Sequence, residues 1–210
     1  MSPRDCLAQC PGLSGLNAFV RPLSVADVKS CVVVESTFPE HERCSEEKFR
    51  YRLTMSPELS LGLFLKTENG DRHIGHVIGN KLSSNSITES SMHMPANWES
   101  QPANEPCVLD GQTVGHDPKG ENLAIHSVVT IPEFQGRGIG KALVKAYIAF
   151  VRQEEIPAKN ILLIAHDYLI KFYESAGFEN HGPSACQFAG GGWYDLPEST
   201  ISDWALGITV

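Results

Sequence analysis

The sequence predicts an α/β domain with a mixed, mostly antiparallel central sheet and helices on both faces. Three observations carry this. Residues 122–130 are rich in β-branched and apolar side chains and run through a glycine-rich turn into a segment where Leu143, Tyr147, Phe150 and Val151 recur at helical spacing. Two apolar runs, residues 59–65 and 74–80, flank Asn69-Gly70, which is a hairpin signal. Residues 161–165, Ile-Leu-Leu-Ile-Ala, are continuously apolar, as in a strand buried on both faces. At 210 residues the chain is long enough for one sizeable core and short for two.

Taken in order, residues 1–18 carry Pro, Gly and Ser with little periodicity and read as a loose tail, so the single domain spans residues 19–210. Residues 19–23 read as a first strand. Ser24-Val-Ala-Asp27 has the spacing of an acidic capping box, and Val28, Cys31 and Val32 then share a helical face. Phe38-Pro39 breaks that helix, because proline lacks an N–H and its ring crowds the preceding turn. Ser45-Glu-Glu opens a second helix, with Phe49 and Leu53 four residues apart.

From about residue 83 to 121 the composition turns polar, with Pro95, Pro102, Pro106 and Pro118, which predicts a long loop insertion without elements. His93, Trp98 and His116 within it are read as incidental, not as ligands. Pro157 follows the helix after the glycine turn. Residues 167–176 read as a short helix closed by Gly177, and residues 183–188 and 193–196 as a final hairpin across Gly190-Gly-Gly192.

The formal net charge of −8 argues against a nucleic-acid partner and favours a cationic substrate. No apolar run reaches the length of a membrane span and no signal-peptide pattern opens the chain, so the expected location is the cytosol, without a membrane partner. The oligomeric state is left open, a monomer being the simpler expectation. Six cysteines, Cys6, Cys10, Cys31, Cys44, Cys107 and Cys186, include no Cys-x-x-Cys pair, so neither a metal site nor a disulfide framework is expected.

The glycine turn carries the chemistry. A helix starting there has backbone N–H groups without helical partners and the positive end of its dipole, which suit a phosphate or pyrophosphate. The candidate cofactor residues are Gln135, Gly136, Arg137, Gly138, Ile139, Gly140 and Lys141. The Rossmann spacing is absent, and Ala142 follows Lys141 where a P-loop has Ser or Thr.

Gln135-x-x-Gly138-x-Gly140 resembles the pyrophosphate signature of the GNAT acetyltransferase superfamily. Residues 56–64 and 168–178, and then Gly182-Pro183, resemble the arylalkylamine (serotonin) N-acetyltransferases, over roughly residues 20–196 outside the long loop. The resemblance implies the GNAT fold, its sheet splayed at an acetyl-CoA site, with acetyl-CoA as cosubstrate and no metal. It implies backbone near His126, Ser127 and Val128 on the acyl carbonyl, Tyr173 beside the thioester sulfur, Phe38 and Pro39 in the substrate floor, and Trp193 as an aromatic wall.

The implied reaction is direct acetyl transfer to a primary amine, most simply an arylalkylamine such as serotonin or tryptamine. At pH 7.4 only about one in a thousand molecules of such an amine is the free base, a deficit of about 4 kcal/mol, so a base or water chain is needed. The family's paired histidines align here with Asn122 and Ala124, which leaves His126, on the same ideal strand face, as the candidate base. Glu40, Glu42 and His166 are further candidates. The alternatives are a polyamine N-acetyltransferase and a non-catalytic coenzyme A-binding regulatory protein.

Overall fold

The structure, a computed structural model, describes residues 1–198. A six-stranded mixed sheet has the order β1-β2-β3-β6-β7-β8. Its strands are β1 (Ala18–Pro22), β2 (Leu61–Thr67), β3 (Gly70–Leu82), β6 (Asn122–Thr130), β7 (Ile161–Ala165) and β8 (Tyr194–Glu198), and a two-stranded ribbon joins β4 (Val108–Leu109) to β5 (Gln112–Thr113). The helices are α1 (Pro3–Ala8), α2 (Val28–Glu35), α3 (Glu46–Met55), α4 (Glu89–Met92), α5 (Ile139–Gln153) and α6 (Ile170–Glu174). β6 and β7 pair in parallel, whereas β1–β2, β2–β3 and β7–β8 are antiparallel. The chain divides into two compact units: residues 1–78 with 127–156, and residues 79–126 with the described residues from 157 onward.

In the first unit the capping box at Ser24 is present, and α2 buries Val28, Cys31, Val34 and Glu35. Val28 and Cys31 join Leu23, Cys44, Phe49, Leu53, Phe64 and Ile78 in one core. The expected apolar stripe of α5 is buried, and Tyr147, fully enclosed, donates its hydroxyl to the Leu59 carbonyl at 2.9 Å.

The amino-terminal segment is not the loose tail expected from its composition. Ser2 and Asp5 form a reciprocal capping box, Pro3 opens α1, and the helix packs on α5 with Cys6 and Leu7 buried. The cause is non-local: α5 is apolar on more than one face, and α1 covers the second.

In the second unit the insertion at 83–121 is also more ordered than its prolines suggest. Thr88 caps α4, and Ile87 and Met92 enter a core with Leu82, Ala124, Leu162 and Cys186. Backbone and side-chain bonds fasten residues 115–117 along β3: Asn80 Nδ2 donates to the Gly115 carbonyl at 2.9 Å, and the Asp117 N–H donates to the Lys81 carbonyl at 2.9 Å.

His116 accepts from the Lys81 N–H at 3.2 Å, and burial lowers its pKa to about 4. A depressed folded-state value means that the unfolded chain binds the extra proton first. The stabilisation is therefore full above the ordinary value near 6.5 and is lost as pH falls towards 4. Urea denaturation between pH 7 and 4.5 is expected to show this loss, with a slope of up to roughly 1.4 kcal/mol per pH unit from this group, and His116→Gln flattens it.

The expected final hairpin does not form among the described residues. Residues 183–188 form no strand; a single bridge joins Pro183 to Tyr194, and β8 pairs instead with β7. Pro183 has no ladder donor, and Gly190, Gly191 and Gly192 all take positive φ. Gly177 closes α6 with φ 114°, as expected of a residue beyond a helix end.

Candidate active site

In the first unit β6 leads through a 3-10 turn at Pro132–Phe134 into the glycine turn. Gly136 and Gly138 have φ of 70° and 78°, values that a side chain disfavours. Gly138 is the N-cap of α5, no side chain caps it, and the first turn holds no acidic residue. A Cβ at Gly136 or Gly138 would meet nothing within 4 Å, so the turn is open in front as well as correctly bent. Backbone donors, an open approach and Arg137 and Lys141 nearby in the chain form an arrangement that fits a pyrophosphate.

Gln135 reaches backward: its Nε2 donates to the Thr130 carbonyl at 2.9 Å and closes the turn onto the end of β6. The turn is also braced by the amino-terminal segment. Cys10 Sγ donates to the Arg137 carbonyl at 3.8 Å, and a Cβ at Gly12 would lie 2.4 Å from that oxygen. Residues read as a tail therefore form the back wall of the cradle.

Ser127 faces away from solvent and donates to Glu35 Oε2 at 2.8 Å. Glu35, 2 % exposed, also accepts from the Cys44 N–H at 3.0 Å and pairs with His76 Nε2 at 3.0 Å. Burial pushes its carboxyl upward, but the hydrogen bond from His76, with those from Cys44 and Ser127, outweighs that and holds it below its ordinary value. The sequence reading missed this network, although a glutamate on the buried stripe of α2 was a signal for it. Phe38 is half-buried and Pro39 exposed, and Arg43 Nε donates to the Phe38 carbonyl at 2.6 Å, which holds that turn.

In the second unit His126 contacts Asn80 Oδ1 through Nε2 and Met92 Sδ through Nδ1, the latter at 2.9 Å. The Asn80 amide nitrogen is turned to the Gly115 carbonyl, so its oxygen faces the ring and Nε2 carries the hydrogen. Nδ1 faces the Met92 sulfur. Asn122 and Ala124, the positions aligned with the family's histidines, are structural: Asn122 bonds Ser84, Asn85 and Asn160, and Ala124 lies in the core.

Tyr173 is 8 % exposed between Phe172 and Phe178, both edge-on, and burial raises its phenol well above the ordinary value, so it is protonated at neutral pH. Trp193 donates Nε1–H to the Phe188 carbonyl at 2.7 Å and stacks on His166 with centroids 4.0 Å apart. Tyr168, exposed, also stacks with His166, with centroids 5.6 Å apart.

The family profile described as "Acetyltransferase (GNAT) domain" matches residues 66–191, more than half of the chain. The chain belongs to the GNAT acetyltransferase family. Among curated relatives of this GNAT chain, serotonin N-acetyltransferase of Mesocricetus auratus is 28% identical over 140 residues, 66% of this chain and 55% of that protein. "Histone acetyltransferase TAP1" of Glycine max is 33% identical over 95 residues, 45% of this chain and 40% of that protein. The matched stretches thus span about half the length of these relatives. In fold it is similar to "GphF GNAT-like decarboxylase in complex with isobutyryl-CoA", with TM-score 0.61 and 15% identity over 86% of this chain and 98% of that one. It is also similar to a PaiA N-acetyltransferase of Thermoplasma acidophilum in complex with coenzyme A, with TM-score 0.54 and 14% identity over 88% and 99%. Among the described residues no helix is long and apolar enough to cross a membrane.

Proposed function

We propose that this GNAT chain transfers acetyl from acetyl-CoA directly to a primary amine, and that the amine is an arylalkylamine of the tryptamine and serotonin class. The observation that carries the coenzyme reading is the open glycine turn with its uncapped helix start. The amine class is supported by the likeness to a serotonin N-acetyltransferase and by the Trp193–His166–Tyr168 stack, which offers aromatic faces to an apolar or cationic body.

In this reading residues 135–141 hold the pyrophosphate, and backbone at His126, Ser127 and Val128 orients the acyl carbonyl. The coenzyme supplies an acetyl group activated as a thioester. Phe38, Pro39 and Trp193 position the amine. The amine loses a proton to His126 Nδ1, and Met92, an unbranched and adaptable side chain, moves aside to uncover that atom. Tyr173, kept protonated by its apolar surroundings, gives its proton to the departing thiolate.

Tyr173→Phe is expected to lower kcat by about 100-fold with KM for the amine little changed, as for a group that acts only in the transition state. Steady-state kinetics at saturating acetyl-CoA check this; an unchanged kcat removes Tyr173 from the mechanism. The substrate class is tested by thiol release with tryptamine, serotonin, phenylethylamine, spermidine and putrescine in parallel. A kcat/KM at least about tenfold higher for the aromatic amines is expected, since a well-fitted apolar group contributes on the order of 1–3 kcal/mol. Preference for spermidine replaces this assignment with the polyamine one.

A further inference from the structure

Cys31 lies on α2 and His73 and His76 lie on β3, yet the three meet inside the first unit. On a regular strand, residues three apart point to opposite faces. The pairing of β3 with β2 slips between Leu63 and Phe64: Leu63 lies opposite Gly75 and Phe64 opposite His73, so Ile74 is the extra residue of a bulge. The bulge turns His73 to the side of His76, and their ring centroids are 5.4 Å apart. One donor atom from each, Cys31 Sγ and a nitrogen of either ring, all lie within 4.8 Å of one another. Cys31 and His76 are 0 % exposed.

The hydrogen bonds decide which nitrogens offer lone pairs. His76 Nε2 donates to Glu35 Oε2 at 3.0 Å, so Nδ1 carries the lone pair; it is buried and has no hydrogen-bond partner among the described residues. His73 Nε2 lies 3.0 Å from the Gly75 carbonyl, which only accepts, so here too Nδ1 carries the lone pair. Ser30 Oγ stands 2.9 Å from that nitrogen and has a second acceptor, the Asp27 carbonyl, at 2.8 Å. It can release His73 Nδ1 and keep a hydrogen bond.

We propose that Cys31 Sγ, His73 Nδ1 and His76 Nδ1 bind a zinc ion, with Glu35 as the carboxylate that orients His76. A thiolate and two imidazoles suit zinc, and a ligating histidine whose other N–H is held by a carboxylate is the usual supporting arrangement. Charge balances as well: the thiolate and Glu35 together offset the divalent ion where solvent does not. Burial pushes the Cys31 thiol up in the metal-free protein, so binding breaks the S–H bond, forms S–Zn and releases one proton to solvent. Tetrahedral zinc needs donors about 3.3 to 3.6 Å apart, closer than the 4.8 Å within which one donor atom of each residue lies, so binding draws the ligands together. The fourth position falls to water. The three ligands lie outside the residues assigned to acetyl transfer, so the two readings stand independently.

The test is zinc added alone to the chelator-treated full chain in competition with a chromophoric chelator at neutral pH, repeated with cobalt. One equivalent is expected to bind, with a thiolate-to-cobalt charge-transfer band. Cys31→Ala is expected to abolish the band, and Cys31→Ala and His73→Gln each to weaken zinc by about 100-fold or more; Glu35→Gln weakens it by about 10- to 100-fold and keeps the band. His73 is only half-buried, so His73→Gln decides the matter if Cys31→Ala does not fold. No stoichiometric binding by the folded wild type, or binding unchanged in His73→Gln, overturns the proposal.

Discussion

Gly138→Val is expected to weaken coenzyme A binding by at least about 100-fold, equivalent to about 2.7 kcal/mol. Two effects act together. At φ 78° an L side chain costs on the order of 1–2 kcal/mol, and a β-branched one more, so the turn relaxes away from the geometry that aims its N–H groups outward. The new side chain also occupies the open space in front of the helix start, where at present a Cβ meets nothing within 4 Å. Gly138→Ala carries most of the strain and little of the bulk, so its loss is smaller. Calorimetric titration with coenzyme A separates the two, with a denaturation midpoint as the folding control. Wild-type affinity in Gly138→Val removes the turn from the coenzyme site.

Glu35→Ala is expected to destabilise the protein by about 3–5 kcal/mol, although Glu35 touches none of the residues assigned to the coenzyme except Ser127. Its carboxylate receives three donors, the Cys44 N–H, Ser127 Oγ and His76 Nε2, at 2.8 to 3.0 Å. Truncation leaves these buried donors without their acceptor and opens a void at the carboxyl-terminal end of α2, and removing one member of a buried charged network costs in this range. Glu35→Gln keeps the shape and an acceptor oxygen and is expected to lose less than half as much. Urea denaturation of metal-free protein measures both, and a loss below about 1 kcal/mol in Glu35→Ala contradicts the network described.

The parts of the fold legible in the sequence are those whose signals are local. The β2–β3 hairpin follows from Asn69-Gly70, β7 from its continuous apolar run, and the cradle from glycines where positive φ is required. What was missed depends on distant partners. Helix α1 carries a capping box in Ser2 and Asp5, but its burial depends on the second apolar face of α5. Residues 115–117 are ordered because β3 presents unpaired groups to them, which composition does not reveal. Glu35 ends the buried stripe of α2, a readable sign of a buried partner, but the partners come from β3, β6 and Cys44. His73 and His76 read as facing opposite ways until the bulge at Ile74 is known, and bulges leave no dependable mark in sequence. His126 lies on the strand read for it, whereas its ring contacts, Asn80 and Met92, come from positions far from it in the chain.

The most direct test of acetyl transfer is to follow coenzyme A release and product mass together, with acetyl-CoA alone and then with tryptamine added. The expected result is little thiol release without amine, one N-acetyltryptamine per coenzyme A with it, and no mass gain of 42 Da on the protein, 42 Da being roughly the acetyl increment expected of a covalent intermediate. Coenzyme A binding without acetylation of tryptamine or any other amine of the panel from pH 6 to 10 would contradict the account and leave a coenzyme-binding protein without this activity.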